Sequence, residues 1–440
     1  MATTEKQKTH LQCIRCFTGI VIFFFSLGLF YNAVPAIANQ PLKINAPEHT
    51  KSKADNTCRE KTEKKWVGTW STAPQLVEPR NMPPDPGLTY NTIRQVVRVS
   101  LGGKQIRVRF NNEFSTNPAT LKKVELAAST GGSSIDPATI TRLKFNGKEE
   151  VTMEAGTLIV SDPVDFDLKE RMDVAITIYF GETPADVTGH PGSRTTSYLL
   201  GGDHTSAKKF TDAATADRWY VINGIDVKAP EEAAAVAILG NSITDGRGSG
   251  TNKQNRWPDI LAERLLNNPE TQQVAVLNQG IGGNCVLRFC LGPSAIDRFE
   301  RDVLNQHGVK WLIILEGVND LGQTPNKEAA MKVAEELIGA YKQMIEKAHK
   351  AGIKVYGATI LPFKESFYYA GYREEAREMV NDWIRNSGRF DAVIDFDKTM
   401  EDPEKPSTLL PNVHTGDFLH PNEKGYEIMG KSIDLSLFEK

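Results

Sequence analysis

The stretch AAAVAILGNSITDG, residues 233–246, decides the fold of the C-terminal half of the chain. Its first seven residues are apolar without interruption, which is typical of a strand buried on both faces of a parallel sheet. Polar turn residues follow, and residues 257–265 then show helical spacing with Pro258 in the first turn. The order of strand, turn and helix predicts an α/β unit.

The same alternation continues towards the C-terminus. Further buried strands are predicted at 274–277, 311–315, 354–359 and 392–396, and further helices at 326–350, 372–386 and 422–435. Apolar strands separated by helices indicate a parallel sheet that is covered on both faces. In such sheets the functional site lies beyond the carboxyl ends of the strands. The candidate functional residues are therefore those that follow the strands.

Polar residues follow the first three strands and precede the last helix. Ser242 follows the first strand, Gly283 the second and Asn319 the third, whereas Asp417 and His420 precede the last helix. A serine hydroxyl is a weak nucleophile unless a base takes its proton, and a carboxylate makes a histidine base effective by fixing its tautomer. We therefore predict a catalytic triad of Ser242, Asp417 and His420. The predicted oxyanion donors are the backbone N–H groups of Ser242 and Gly283 and the side-chain amide of Asn319.

These residues resemble the conserved blocks of the SGNH, or GDSL-type, hydrolases. The four blocks match in order over about residues 232–436, as GNSIT (240–244), the glycine at 283, GVND (317–320) and DFLH (417–420). The resemblance implies a three-layer αβα, flavodoxin-like fold and metal-free ester hydrolysis through an acyl-enzyme. It gives the five site residues the same roles as above. One position departs from the family, because the aspartate that usually precedes the serine is Asn241 here, which keeps the shape and loses the charge.

Residues 65–228 have a different pattern and are predicted to form an all-β sandwich ahead of the hydrolase domain at 229–440. Short alternating runs separated by turns fill this stretch, and no amphipathic helix is indicated. Residues 94–100 and 105–110, around Gly102, predict an antiparallel hairpin. The arrangement is similar to the family subgroup that includes arylesterase-like and acetylxylan-esterase-like proteins. A carbohydrate-binding or substrate-shaping role is the functional hypothesis, because Trp66, Trp70, Tyr90 and Tyr198 offer surfaces on which a sugar can stack. The alternative is that these aromatic residues pack in the core.

The N-terminal residues have the order of an export signal. Basic residues precede an apolar stretch at 17–31, and a small-x-small pattern follows at 36–38. This order predicts a secretory signal at 1–38, since the apolar stretch is shorter than the roughly 20 residues that span a bilayer. An uncleaved membrane anchor is the alternative. The polar residues 39–64 are predicted to be a tether. We expect a secreted or periplasmic protein with no stable membrane span after signal removal.

Five cysteines are sorted by their positions. Cys13 and Cys16 lie in the predicted signal, and Cys58 lies in the predicted tether. Cys285 and Cys290 follow the oxyanion glycine, and an exported chain permits a disulfide between them. Two free thiols are the alternative for this pair.

A metal site is the alternative reading of the last motif, because His414, Asp417 and His420 fall within one short loop. No further His, Cys or Asp cluster completes such a site, and this spacing is not diagnostic of zinc. We therefore expect neither a metal nor a cofactor. A further stretch, PFKESFYYAGY at 362–372, predicts an aromatic wall of the substrate pocket, with core packing as the alternative.

Composition limits the partners. The chain has 440 residues, with 52 Lys and Arg against 55 Asp and Glu and a net charge of −3. Its length predicts two domains, and its charge argues against nucleic-acid binding, which requires a basic surface. The sequence predicts a secreted serine esterase for short acyl groups, above all acetyl, on plant or microbial polysaccharides, so the expected partner is an acylated carbohydrate or a small ester. A lipolytic or aryl esterase and a non-catalytic glycan-binding protein are the alternatives, and the oligomeric state is not predicted.

Overall fold

Strands and turns fill the chain from Lys64 to Pro230 in the computed structural model, which describes residues 64–439. The strands of this β-rich region are β1 (Lys64–Ser71), β2 (Gln75–Leu76), β3 (Asn91–Arg98), β4 (Gly103–Asn111), β5 (Ala119–Gly131), β6 (Ser134–Ile135), β7 (Thr141–Arg142), β8 (Val151–Met153), β9 (Leu158–Val160), β10 (Val164–Leu168), β11 (Asp173–Phe180), β12 (Thr188–His190), β13 (Ser197–Gly201), β14 (Ala214–Ala216), β15 (Trp219–Tyr220) and β16 (Ile222–Pro230). Two 3-10 turns, Pro79–Asn81 and Pro137–Thr139, interrupt them, and no α-helix occurs between Lys64 and Pro230.

Strands and helices alternate in the rest of the described chain, the α/β region. Its elements are β17 (Ala234–Gly240), α1 (Ser242–Asp245), α2 (Trp257–Leu266), β18 (Val274–Gly280), α3 (Ala295–Phe299), β19 (Val309–Leu315), α4 (Val318–Gly322), α5 (Lys327–Lys350), β20 (Lys354–Ala358), α6 (Gly371–Asn386), β21 (Ala392–Ile394), α7 (Phe396–Met400) and α8 (Glu423–Ser432). A π-helical turn, Glu300–Leu304, extends α3, and a 3-10 turn, Leu435–Phe438, ends the described chain.

The predicted export signal at 1–38 and all but the last residue of the predicted tether at 39–64 lie outside the described residues. The cysteines assigned to them, Cys13, Cys16 and Cys58, lie outside as well. From residue 64 to residue 439, no helix has the length and apolar character needed to cross a bilayer.

Two antiparallel sheets form the predicted sandwich. One has the strand order β1-β16-β4-β10, with β9 beside β4, and the other has the order β14-β13-β3-β11-β5-β6, with β7 and β8 beside β5. Apolar side chains from both sheets meet in one core, among them Val97, Val108, Ile176 and Ile225. A small third sheet, β15-β12-β2, completes the region.

The predicted hairpin between β3 and β4 is wrong, because the two strands belong to different sheets. β3 pairs with β11 and β13, whereas β4 pairs with β16, β10 and β9. The connection crosses the core, since Val97 and Val108 point into it from opposite sides. At the crossing, a side chain on Gly102 would come within 2.6 Å of the Leu168 carbonyl oxygen. We call this connection between the two sheets the arch. An alternating sequence pattern around a glycine turn is compatible with an arch as well as with a hairpin.

The α/β region contains a parallel sheet with the strand order β18-β17-β19-β20-β21, which is the flavodoxin-like order. Neighbouring residues of one strand face opposite helical layers, which explains the uninterrupted apolar runs. In β17, Ala237 packs in a core with α3, α5 and α6, whereas Ile238 packs in a core with α2, α7 and α8. The predicted three-layer αβα fold behind a β sandwich is confirmed.

The β-rich region covers the edge strand of this parallel sheet. The Ser100 hydroxyl accepts a hydrogen bond from Val276 N in β18 at 3.1 Å and donates one to the Val276 carbonyl at 3.2 Å. Apolar residues of β18, such as Leu277, share the sandwich core. Both regions belong to one compact unit.

Candidate active site

Ser242 begins α1, directly beyond the carboxyl end of β17. Asn241 caps this short helix, since its Oδ1 accepts a hydrogen bond from Ile243 N at 3.0 Å. The turn from strand to helix places the Ser242 side chain at the wall of a cavity. Local sequence therefore fixes the serine where parallel sheets carry their sites.

The candidate triad forms a continuous hydrogen-bonded chain. Ser242 Oγ lies 2.9 Å from His420 Nε2, and His420 Nδ1 lies 2.7 Å from Asp417 Oδ2. A carboxylate only accepts, so Nδ1 carries the ring proton and Nε2 is left to accept the serine proton. The other oxygen of Asp417 accepts from the backbone N–H groups of Leu419 and His420 at 3.1 and 2.9 Å, which fixes the carboxylate.

The surroundings shift the pKa of both partners of the serine. Burial lowers the pKa of His420 below its ordinary value, the Asp417 carboxylate opposes this shift, and the nearby charges of Arg247 and Arg194 add to it. Burial by itself raises the pKa of Asp417, but hydrogen bonds from the His420 backbone and ring and from Leu419 outweigh it and leave that pKa below its ordinary value. Asp417 therefore stays ionised beside a neutral imidazole.

This protonation state predicts the acid side of the pH profile. Only the neutral form of His420 accepts a proton, so activity is lost as pH falls through the His420 pKa. Because that pKa lies below 6.5, we expect the midpoint of the acid limb of kcat/KM to lie below 6.5 as well. Initial rates on a neutral ester across the pH range check this, after return to neutral pH has shown that acid does not inactivate the protein. A midpoint above 6.5 would contradict the assignment.

The three candidate oxyanion donors lie around the same cavity. Within residues 64–439, neither Ser242 N nor Gly283 N donates a hydrogen bond. Gly283 has φ 73°, and a side chain there would come within 2.7 Å of Leu291. The Asn319 amide is held at both ends, because its Nδ2 donates to the Asn284 carbonyl at 2.7 Å and its Oδ1 accepts from the Tyr368 hydroxyl at 2.9 Å. One N–H of this amide remains for a ligand.

The loop that carries Gly283 is braced from several sides. Cys285 and Cys290 form a disulfide. Asp320, in the same motif as Asn319, accepts from Val286 N at 2.9 Å and from Leu287 N at 3.1 Å. The bonds to Asp320 tie the loop after β18 to α4, the short helix after β19.

Arg298 is a fully buried hub behind these loops. It donates to the carbonyls of Gly240 and Gln279, at the ends of β17 and β18, at 3.1 and 2.6 Å. It also donates to Asn284 Oδ1 at 3.0 Å and to Asp302 at 2.9 Å. One guanidinium thus joins two strand ends to the oxyanion loop, which is the multiple, planar donation for which arginine is suited.

The structure gives a physical reason for asparagine at position 241. Asn241 Nδ2 lies 3.3 Å from Glu316 Oε2, and Glu316 is fully buried. Burial raises the pKa of Glu316 to about 8, although Arg298 opposes the shift. An aspartate at 241 would place a second carboxyl group against this buried one, whereas the amide donates a hydrogen bond to it.

A buried pair, His190 and Asp245, connects the β-rich region to the turn that carries Ser242. His190, in β12, lies 2.9 Å from Asp245 Oδ1 through Nε2 and 2.9 Å from the Ala73 carbonyl through Nδ1. Asp245 is the last residue of α1, three positions after Ser242, and Arg194 approaches its other oxygen at 3.6 Å. The position of the nucleophile therefore depends on side chains from the other region.

Replacing His190 by phenylalanine tests this dependence. The aromatic ring keeps the stack on Trp219, whose centroid lies 5.9 Å away, but both hydrogen bonds are lost. We expect kcat to fall by about 10- to 100-fold with a smaller change in KM, because small displacements of a nucleophile have effects of that size. His204→Phe, at an exposed histidine of the same region, is the matched control. A kcat within twofold of the wild type would refute the positioning role.

A cavity of about 540 Å³ lies over the triad, and both regions line it. The β-rich region contributes mostly polar and charged residues, namely Gln75, Glu78, Arg80, Asn81, Pro191, Gly192, Arg194 and Arg218. The α/β region contributes Ser242, Asp245, Arg247, Gly282, Gly283, Leu291, Asn319, Phe367, Tyr368, Leu419 and His420. Phe367 and Tyr368 of the predicted aromatic wall are among them.

The alternative metal site does not assemble in the described part of the chain. Asp417 and His420 bind each other, and His414 Nδ1 accepts from Gly416 N at 3.1 Å. Among residues 64–439, no group of three His, Cys, Asp or Glu side chains is placed to hold a metal ion.

Sequence reasoning missed several residues of this site. Arg298, His190 and the cavity arginines act through contacts with residues far away in the chain, and no local pattern marks them. Asp245 carried a signal, since it lies in the same turn as the serine. Tyr368 was noted only as an aromatic residue.

Residues 238–428 match the model of the GDSL-like Lipase/Acylhydrolase family. No curated protein matches the chain. Similar solved structures include a lipolytic protein of the G-D-S-L family from Desulfitobacterium hafniense DCB-2, at 23% identity and TM-score 0.35, over 45% of this chain and 97% of that one. The acetyl xylan esterase AlAXEase is 22% identical, with TM-score 0.34, over 45% of this chain and 96% of that one. A catalytic mutant of Axe2, an acetylxylan esterase from Geobacillus stearothermophilus, is 18% identical, with TM-score 0.36, over 45% of this chain and 91% of that one.

Proposed function

We propose that this chain, whose residues 238–428 belong to the GDSL-like lipase/acylhydrolase family, is a serine esterase that removes short acyl groups, above all acetyl, from carbohydrate. The family makes the chain a carboxylic-ester hydrolase, and the acyl group, the alcohol and the mechanism are the proposal. One observation carries it: the hydrogen-bonded chain from Ser242 through His420 to Asp417 opens on a cavity.

Acylation begins when Ser242 Oγ attacks the ester carbonyl carbon while His420 Nε2 takes the hydroxyl proton. Asp417 holds the imidazole in orientation and stabilises its charged form. The carbonyl oxygen becomes an oxyanion, which accepts from Ser242 N, Gly283 N and the Asn319 amide. The bond to the alcohol oxygen then breaks, His420 returns the proton to that oxygen, and the acyl group stays on Ser242.

Deacylation repeats these steps with water as the nucleophile. His420 takes a proton from the water as its oxygen attacks the acyl carbon, and the same donors hold the second oxyanion. The bond to Ser242 Oγ breaks, the serine regains its proton from His420, and the carboxylic acid leaves. The buried His420, with its lowered pKa, is neutral at the start of each half-reaction.

The cavity lining supports a short acyl group. Its apolar members are few, namely Pro191, Leu291, Phe367, Tyr368 and Leu419. Each buried methylene contributes about 0.8 kcal/mol to binding, so a long chain needs a long apolar channel. Polar and charged side chains occupy most of this wall and suit a hydroxyl-rich alcohol.

A lipolytic or aryl esterase is the second candidate, and exposed apolar residues on the cavity wall and next to it in the chain favour it. Phe367 and Leu291 line the cavity and are 71% and 39% exposed. Phe289 and Tyr369, which lie within two residues of them in the chain, are 70% and 39% exposed. Such residues suit an aromatic or lipid substrate, although aromatic faces also stack on sugars.

Chain-length preference separates the two candidates. Rates on 4-nitrophenyl esters from acetate to dodecanoate are compared with acetate release from acetylated xylan and from a peracetylated monosaccharide. We expect acetate to be preferred among the nitrophenyl esters and to be released from the saccharides. Preference for the long acyl chains would contradict the carbohydrate proposal and support the lipolytic one.

Export to an oxidising compartment, outside the cell or in the periplasm, is part of the proposal. The signal pattern at 1–38 supports it. The Cys285–Cys290 disulfide supports it too, because disulfides persist mainly in oxidising compartments.

A further inference from the structure

We propose that the cavity over Ser242 selects esters of anionic alcohols, in which a carboxylate or another oxyanion group lies close to the ester bond. The recognition element is the arginine rim, defined as Arg80, Arg194, Arg218 and Arg247, which all line this cavity. The inference rests on the proposed esterase function and names its substrate class as acylated acidic saccharides.

Two members of the rim have no partner for their charge among the described residues. Arg80 and Arg247 are exposed, and in the described part of the chain their guanidinium groups make no hydrogen bond or ion pair. Arg80 comes from the β-rich region, and Arg247 follows the nucleophile turn. Both are free to bind a ligand without breaking a contact of the protein.

The other two members are only partly engaged. Arg218 donates from Nε to Asn81 Oδ1 at 2.9 Å, which is a neutral acceptor and leaves its charge uncompensated. Arg194 approaches Asp245 at 3.6 Å, while its own Nε is buried and has no acceptor in the part of the chain that the structure describes. Arg194 also has φ 51°, a left-handed backbone conformation that is uncommon for a residue other than glycine. Such strained residues cluster at ligand sites.

The negative groups of the cavity do not balance the rim. Glu78 and Asp245 are the lining carboxylates, and Asp245 already accepts from His190. Glu78 accepts from the neutral amides of Gln75 and Asn81, at 3.0 and 2.7 Å. The whole chain has a net charge of −3, so the positive charge here is local and does not reflect composition.

The chemistry of arginine selects the ligand. A guanidinium presents a rigid fork of donors that matches a carboxylate, sulfate or phosphate group in a bidentate manner. Positive side chains around a concave site raise the local concentration of anionic substrate. Because Ser242 lies in the same wall, the anion that the rim holds belongs to the molecule whose ester bond is cleaved.

The test compares substrates that differ in charge alone. An acetylated oligogalacturonide is compared with the same material after methyl esterification of its carboxyl groups, and acetate release is measured. An acetylated, sulfated saccharide of similar length shows whether sulfate replaces carboxylate. We expect kcat/KM to be at least about tenfold higher for an anionic substrate than for the neutral one, and the preference to shrink at high salt because ions screen exposed charges.

The double variant Arg80→Gln/Arg247→Gln assigns the preference to the rim. Both side chains are exposed and unpartnered in the described residues, so the fold does not depend on them. We expect the ratio of kcat/KM between anionic and neutral substrates to fall about tenfold. Lys209→Gln removes an exposed positive charge outside the cavity and serves as the matched control that keeps the wild-type ratio.

Failure of this inference is distinguishable from failure of the esterase proposal. Hydrolysis of the neutral substrate that depends on Ser242, without preference for an anionic one, would overturn the inference and leave the esterase standing. A preference that survives in the double variant would also overturn it. If Ser242 matters for none of the substrates, both proposals fall.

Discussion

Replacing Ser242 by alanine is expected to lower kcat/KM for 4-nitrophenyl acetate by at least about a thousandfold, since loss of a triad nucleophile leaves only the oxyanion hole and binding. Ser242 Oγ is the atom that bonds His420 Nε2, and among the described residues that line the cavity there is no other serine, threonine or cysteine. The variant has no nucleophile to form an acyl-enzyme, so no burst of nitrophenol is expected either. Initial rates and burst amplitude are the measurements.

The matched control is Ser249→Ala, which makes the same chemical change in the loop that follows α1. Ser249 Oγ is buried and has no hydrogen-bond partner among residues 64–439, and Ser249 does not line the cavity. We expect its rate to stay close to the wild type. Circular dichroism of both variants shows whether they are folded. Equal rates for the wild type and a folded Ser242→Ala variant would refute the serine mechanism and favour a non-catalytic glycan-binding protein.

Replacing Arg298 by methionine is expected to destabilise the protein by about 3 kcal/mol or more and to lower activity in the molecules that remain folded. Methionine keeps part of the buried volume but donates no hydrogen bond. The Gln279 carbonyl and the amide oxygen of Asn284 then lose the guanidinium as a donor inside the core, and the buried Glu316 loses its ion pair. The Gly240 carbonyl loses one of its two donors and keeps Ile281 N. Asp302 keeps Arg301 as a partner, so the loss falls on the strand ends, the oxyanion loop and Glu316.

Urea unfolding of the wild type and of Arg298→Met measures the first effect, and kcat at low temperature, where the variant stays folded, measures the second. Arg389→Met is the control, because the Arg389 side chain is half exposed and, among residues 64–439, pairs with Glu346 alone, at 3.4 Å. Exposed pairs of this kind contribute about 0 to 1 kcal/mol. If Arg298→Met unfolded at the same urea concentration as the control, the buried hub would have no energetic role.

Local periodicity allowed the α/β region to be predicted from the sequence. The helix predicted at 257–265 is Trp257–Leu266, and the helix predicted at 326–350 is Lys327–Lys350. The apolar runs were interpretable because successive residues of each strand face two helical layers, so that no position needs a polar residue. The ends of most strands were predicted less accurately than the bounds of these helices. For example, the strand predicted at 392–396 stops at Ile394, and a helix begins at Phe396.

Pairing between strands was not predictable in the same way. Periodicity shows which face of a strand is buried, but β3 and β4 bury the same kind of face whether they pair or cross the core. The arch depends on the close approach of Gly102 to Leu168, a residue far along the chain. No pattern within either strand contains that information.

The same distinction between local patterns and long-range contacts applies to the residues of the site. Ser242, Gly283, Asn319, Asp417 and His420 were named from motifs, because each lies in a short stretch next to a strand or helix end. Their catalytic roles stay predictions until the variants are measured. The residues that support them are distant in the chain: His190 hydrogen-bonds to Asp245, and Arg298 hydrogen-bonds to the carboxyl ends of two strands. Such contacts exist only once the chain has folded.

The hydrogen bonds between the Ser100 hydroxyl and the edge strand β18 limit how the chain can be divided for study. A fragment that began at Ala234 would keep the family motif, but it would leave Val276 N and its carbonyl open along the edge of the sheet. It would also expose Leu277, which the sandwich core now covers. Unpaired strand edges recruit strands from other molecules. An expressed hydrolase fragment is therefore expected to self-associate into insoluble material, which makes the two regions one unit for recombinant work.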